Sequence, residues 1–215
     1  LSERVRFGVL ISGGGTNLQA LIDAASDPDY PAEIAVVVSN KQDAGGLSRA
    51  RAAGIPVEWI PHKGKEREAF DAELVERLKA HRCEWIALAG FMRLVTPVFL
   101  NAFEGRVLNI HPALLPAFPG VRAQRQAYEA GVQVTGATVH LVDSGMDAGP
   151  IIAQGAVPRK PEDSLRDLEA RILQMEHQLY PMVVRWAAQG CVRMTDSGLV
   201  VQPPEGEVRG LSWAH

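Results

Sequence analysis

The sequence predicts an α/β fold: a doubly wound, mainly parallel sheet, with an antiparallel strand pair towards the C-terminus. Three observations predict it. Short apolar runs of strand length alternate with segments of helical spacing, which is the pattern of a parallel sheet wound with helices. Glycine and proline punctuate nearly every junction between them. Three loops that carry polar or glycine residues, at Gly13, Gly90 and Asn109, all follow strand ends. In open α/β sheets ligands bind beyond those ends.

The elements follow in order. Residues 5–11 read as a buried strand, and 18–22 open a helix after a Gly-rich turn. Residues 33–39 read as the second strand. A helix over 43–53 stops at Gly54, a usual C-terminal residue. A short third strand covers 57–60. Residues 65–81 have helical spacing, with Phe70, Leu74 and Leu78 on one face. The fourth strand, 85–89, runs into Gly90. Thr96 and Pro97 suit the N-cap and first position of another helix. The fifth strand covers 107–110, and 122–130 read as a helix. Strands at 135–142 and 151–157 are joined by a short loop, so they are expected to pair antiparallel. Leu165, Leu168, Ile172, Met175 and Leu179 mark one face of a long helix over 164–189. Pro181 is expected to kink it or divide it in two. Glu176 and His177 both suit a polar face. Beyond Cys191, residues 192–194 and 199–201 suggest a small hairpin across Asp196-Ser197-Gly198, and 203–215 reads as a loose tail. The expected domains are 1–190, followed by a hairpin and tail over 191–215.

Bulk properties narrow the function. The chain has 215 residues, 47% of them hydrophobic, enough to bury a full core. A formal net charge of -3 gives no electrostatic footprint for nucleic acid. No apolar run is long enough to span a membrane. The chain starts Leu1-Ser2-Glu3-Arg4 and enters a strand pattern at once, so no secretory signal is read. Cys83 and Cys191 lie far apart, which disfavours disulfide and zinc readings and fits a reducing cytoplasm.

Two stretches carry chemistry. Ser12-Gly13-Gly14-Gly15-Thr16-Asn17 links a strand to a helix. Free N–H groups and the helix dipole favour an anion there, and glycines let it approach closely. A dinucleotide fingerprint begun at Gly13 would need glycine where Leu18 stands, and a P-loop would need Gly-Lys-Ser/Thr at its end. A glycine turn without a ligand stays open on this motif alone. The second stretch is Asn109-Ile110-His111-Pro112. Residues two apart on a strand face one side. Asn offers amide donors to a developing oxyanion, and His carries protons near neutral pH. Taken alone, it is equally a strand end before a proline-rich turn. Residues 138–150 add a loop rich in Asp and Gly that can bring a carboxylate to a histidine. A dehydrogenase and a non-catalytic phosphosugar-binding module are the alternatives. The second leaves Asn109, His111 and Asp147 without a joint role.

Asn109-Ile110-His111-Pro112-Ala113-Leu114-Leu115-Pro116, followed at a distance by Asp147-Ala148-Gly149-Pro150-Ile151, resembles the folate-dependent formyltransferases. Ala113 departs from the serine common at its position. The glycine loop, Leu88-Ala89-Gly90-Phe91-Met92-Arg93 and Glu176-His177-Gln178-Leu179-Tyr180-Pro181 are similar to the branch acting on glycinamide ribonucleotide. The resemblance implies that Asn109, His111 and Asp147 are catalytic. It implies that Gly14, Gly15, Thr16 and Asn17 hold the phosphate of glycinamide ribonucleotide, with Glu176 on its ribose. The formyl donor, 10-formyltetrahydrofolate, would meet Arg67, Met92, Arg93, Leu94, Val95, Asn109, Val142, Asp143 and the loop to Asp147. No metal is implied. The Leu115–Pro116 bond is expected to be cis, and the protein a cytoplasmic monomer or homodimer.

Overall fold

A computed structural model describes residues 3–212. The expectations that fall on Leu1, Ser2 and residues 213–215 lie outside the described residues. The chain divides into two compact units, one up to Asn109 and one from Ile110 onward.

The first unit contains β1 (Val5–Ile11), α1 (Thr16–Ala25), β2 (Ala32–Ser39), α2 (Gly45–Ala52) and β3 (Val57–Trp59). It continues with α3 (Arg67–Ala80), β4 (Trp85–Leu88), α4 (Pro97–Ala102) and the start of β5 (Val107–His111). Its strand order is β5-β4-β1-β2-β3, and every pairing is parallel. The chain winds outward from β1 to β3, then returns to the other side of β1. That reversal puts a topological switch point between β1 and β4, where ligands of such sheets bind. Apolar side chains fill β1 and β2, and Phe70, Leu74 and Leu78 are buried as their spacing requires. Thr96 and Pro97 open α4 as expected, although the Thr96 side chain makes no capping bond. Its N–H donates instead to the buried carboxylate of Asp71 on α3.

The second unit contains the end of β5, α5 (Ala123–Glu129), β6 (Val134–Leu141), β7 (Ile151–Pro158), α6 (Leu165–Ala188), β8 (Val192–Thr195), β9 (Gly198–Val201) and β10 (Gly210–Ser212). β6 and β7 pair antiparallel, as their short connection predicts. β8 and β9 form the expected hairpin. The Leu115–Pro116 peptide bond is cis.

Two expectations are corrected. Of the kink or division expected at Pro181, division does not occur: α6 runs unbroken from Leu165 to Ala188. A proline inside a helix costs about 3 kcal/mol. Leu179, Tyr180, Val183, Val184 and Trp186 flank it and are all buried, so packing of that face outweighs the lost bond. Nor is the described part of the tail, residues 203–212, loose. β10 pairs parallel with β7, Arg209 donates to the carbonyls of Ile151 and Ile152 at 2.6 and 2.7 Å, and Glu207 accepts from Arg185 and from the indole N–H of buried Trp186. Main-chain pairing is invisible to a search for apolar periodicity.

A capping box between Ser164 and Asp167 starts α6. Just before it, Asp163 accepts from Arg171 at 2.8 Å and from the Lys160 N–H at 2.7 Å. The Arg171 hydrogen bond, chiefly, holds the Asp163 carboxyl at about 2, below the ordinary 3.8. A depressed carboxylate stabilises the fold fully above its unfolded value, and that contribution is lost as pH falls through the folded one. Stability should therefore drop between about pH 4 and pH 2. Asp163→Asn should flatten that part of a melting-temperature profile and lower it at neutral pH. Parallel profiles for the two proteins would refute the assignment.

Candidate active site

The glycine loop joins β1 to α1. Gly15 is the N-cap residue, with φ 73° in the left-handed region that favours glycine. A Cβ at Gly15 would lie 2.6 Å from Cα of Gly46, so α2 and the loop approach backbone to backbone. Gly46 N–H also donates to Gly13 O at 3.0 Å. No side chain caps α1, and no acidic residue stands in its first turn. Gly13, Gly14 and Thr16 are exposed, and the Arg49 guanidinium donates to Gly14 O at 2.8 Å. The result is an exposed helix N-terminus with a cation bonded to its loop, the arrangement that receives an anion.

The loop after β4 is anchored at alternate points within the same unit. Met92 N–H donates to Ser12 Oγ at 2.9 Å. The Arg93 guanidinium lies 4.7 Å from the centre of the Phe70 ring. Arg67 donates to Leu94 O at 3.1 Å. Val95 precedes Thr96, which Asp71 holds. Met92 and Leu94 are nevertheless 69% and 52% exposed, leaving apolar side chains facing outward.

In the second unit His111, 4% exposed, ends β5. Its Nδ1 lies 3.3 Å from Asp147 Oδ2, and its Nε2 donates to Phe118 O at 2.8 Å. Both ring nitrogens thus face oxygen acceptors. Asp147 Oδ2 also accepts from Gly120 N–H at 2.8 Å. Asp147 itself has φ 51°, a conformation in which Asp and Asn are enriched. Its loop must lie flat on β6: a Cβ on Gly149 would meet Leu141 O at 1.9 Å. Asn109 precedes His111 by two residues on β5, pairs with Leu88 in register and is half-buried.

Of the other expected residues, Asp143 accepts from Gly145 N–H at 2.8 Å, shaping the loop that leads to Asp147. Val142 is half-buried beside it. Glu176 is 5% exposed on α6 rather than on a polar face. Among the described residues, no group of three or more His, Cys, Asp or Glu is placed to hold a metal.

Sequence reasoning missed His140. It is 2% exposed, with Nε2 3.7 Å from Asp147 Oδ1 and Nδ1 donating to Leu141 O at 2.9 Å. Burial, the largest cause, lowers its pKa from the ordinary 6.5, against the opposing pull of the Leu141 carbonyl and Asp147. His140 therefore packs beside the carboxylate in neutral form. Its place inside an apolar strand gave no signal that it faces Asp147. Ser12, Asn40 and Asp71 were missed as well: the side-chain partner of each lies far along the chain, where no local pattern marks it.

The sheet, the glycine loop and the His–Asp pair define a class. Residues 5–184 match the family described as formyl transferase, and the chain belongs to that family. It is 43% identical over 203 residues to the phosphoribosylglycinamide formyltransferase of Escherichia coli (strain K12), covering 92% of this chain and 96% of that protein. It is 45% identical over 199 residues to the trifunctional purine biosynthetic protein adenosine-3 of Bos taurus, covering 92% of this chain. The chain spans only 14–20% of the length of such trifunctional relatives. The crystal structure of glycinamide ribonucleotide transformylase 1 from Symbiobacterium toebii has the same fold, with a TM-score of 0.89, 48% identity and coverage of 94% of this chain and 95% of that one.

Proposed function

We propose that this protein transfers the formyl group of 10-formyltetrahydrofolate to the glycinamide amine of 5-phosphoribosylglycinamide, in de novo purine biosynthesis in the cytoplasm. The observation that carries the reading is His111 paired with Asp147 at 3.3 Å, with Asn109 two residues before it on the same strand. In this reading the N–H groups of Gly14 to Asn17 hold the acceptor's phosphate, and Glu176 contacts its ribose. Arg67, the loop from Met92 to Val95, Val142 and Asp143 receive the folate. The outward apolar side chains of Met92 and Leu94 suit a flat pterin.

The amine nitrogen attacks the formyl carbon, and the carbonyl oxygen takes the electron pair. Asn109 donates to that oxyanion, and the positive charge of protonated His111 stabilises it. Asp147 holds the imidazole and stabilises positive charge on it. The intermediate collapses by breaking the bond to the folate nitrogen. The proton lost by the amine reaches that nitrogen with the help of His111. The products are formylglycinamide ribonucleotide and tetrahydrofolate. No metal is required, because the donor's formyl group is already activated.

The test follows tetrahydrofolate formation with glycinamide ribonucleotide, water or charged initiator tRNA as acceptor. Only the first should support rapid turnover; preference for either of the others would replace this reading. A crystal soaked in glycinamide ribonucleotide should show phosphate on the N–H groups of Gly15 to Asn17. Phosphate bound elsewhere at saturation would remove the glycine loop from the site.

A further inference from the structure

Met92 combines two opposed features. Its side chain is among the most exposed apolar ones, yet its N–H is bonded to a hydroxyl that is almost wholly buried. Ser12 is 4% exposed and its hydroxyl is committed on both sides. It accepts from Met92 N–H and donates to Asn40 Oδ1 at 2.7 Å. One hydroxyl proton and a fixed donor leave it a single orientation. The Ser12 main chain adds a bond from its N–H to Gly90 O at 3.1 Å. Asn40, 5% exposed, is fixed in turn by His62, whose Nδ1 donates to Asn40 O at 3.0 Å. Ser12 is the residue immediately before Gly13. One buried side chain therefore ties the start of the glycine loop to the loop after β4, at the switch point of the sheet.

We propose that Ser12, held by Asn40, is a positioning residue for the formyl donor: it sets the Gly90–Val95 loop from the root of the phosphate loop. The assignment rests on the function proposed above, in which the first loop serves the folate and the second the phosphosugar. Neither Ser12 nor Asn40 touches the reacting atoms. Their effect reaches the donor through the Met92 main chain, which is otherwise on the surface. A neutral hydrogen bond in a buried network is worth enough to decide where such a loop rests.

The test compares wild type with Ser12→Ala, Ser12→Cys and Asn40→Ala by steady-state kinetics and by amide hydrogen exchange. Ser12→Ala should raise KM for 10-formyltetrahydrofolate roughly tenfold, the scale of a lost hydrogen bond, and leave KM for glycinamide ribonucleotide within about twofold. Asn40→Ala should act in the same direction and less strongly, because the hydroxyl remains but is no longer aimed. Ser12→Cys, which keeps a weak donor and acceptor, should fall between wild type and Ser12→Ala. The Met92 amide should be protected in wild type and exchange freely in Ser12→Ala. A merely structural role would raise both KM values together or change neither, and either result overturns the proposal. If Ser12→Ala does not fold, the wild-type amide decides: exchange of Met92 as fast as an open loop overturns it. Wild-type protein that transfers no formyl group would instead overturn the functional reading.

Discussion

Asp147→Asn should lower kcat by about two to four orders of magnitude, the range for a lost acid–base partner. KM for both substrates should change little. The substitution is nearly isosteric, and its backbone cost is small: φ is 51° at this position, and Asn tolerates the left-handed region as Asp does. The side-chain oxygen that accepts from Gly120 can remain. What disappears is the negative charge 3.3 Å from His111. That charge steadies the ring and the positive charge with which it stabilises the oxyanion. The competing view makes Asp147 a turn residue whose side chain only organises its loop. Asn would then serve almost as well, and near-normal turnover would remove Asp147 from the chemistry. Steady-state kinetics with both substrates saturating decides between them.

Asn109→Asp should cost about 10²–10³ in kcat, the range seen when an oxyanion donor is removed. The shape is again kept, but the amide donors become a carboxylate that only accepts. The new charge would oppose the oxyanion that forms during attack. Asn109 is the half-buried middle residue of an otherwise buried strand, so the fold should survive. A melting temperature close to wild type alongside the loss in rate would place the defect in the transition state. If Asn109 only packs, the variant should retain most of its turnover.

Much of this architecture was legible because it leaves local marks. Strand, glycine turn and helix follow one another within residues 5–25, and both rival nucleotide motifs fail on particular residues, Leu18 among them. Asn109 and His111 could be read because strand alternation makes spacing equivalent to facing. Asp147 could be placed only by a family pattern, since no local rule brings a residue from so far along the chain to a histidine. His140 beside Asp147, Ser12 against Asn40 and Asp71 under Thr96 were not legible. Each is a polar side chain satisfied by a distant partner, and burial of that kind has no period. Pro181 shows the opposite case: a strong local rule overridden by the apolar packing around it.

The docked tail has a meaning for solution behaviour as well as for folding. Main-chain groups of a sheet edge recruit other chains, and short terminal strands are one defence. β10 covers the stretch of β7 from Gln154 to Ala156. β3, the outermost strand of the first unit, is only three residues long. β3 therefore offers no long template for association between molecules. Arg209 and Glu207, which clasp β10 in place, thereby keep the main-chain groups of that stretch of β7 paired within the chain.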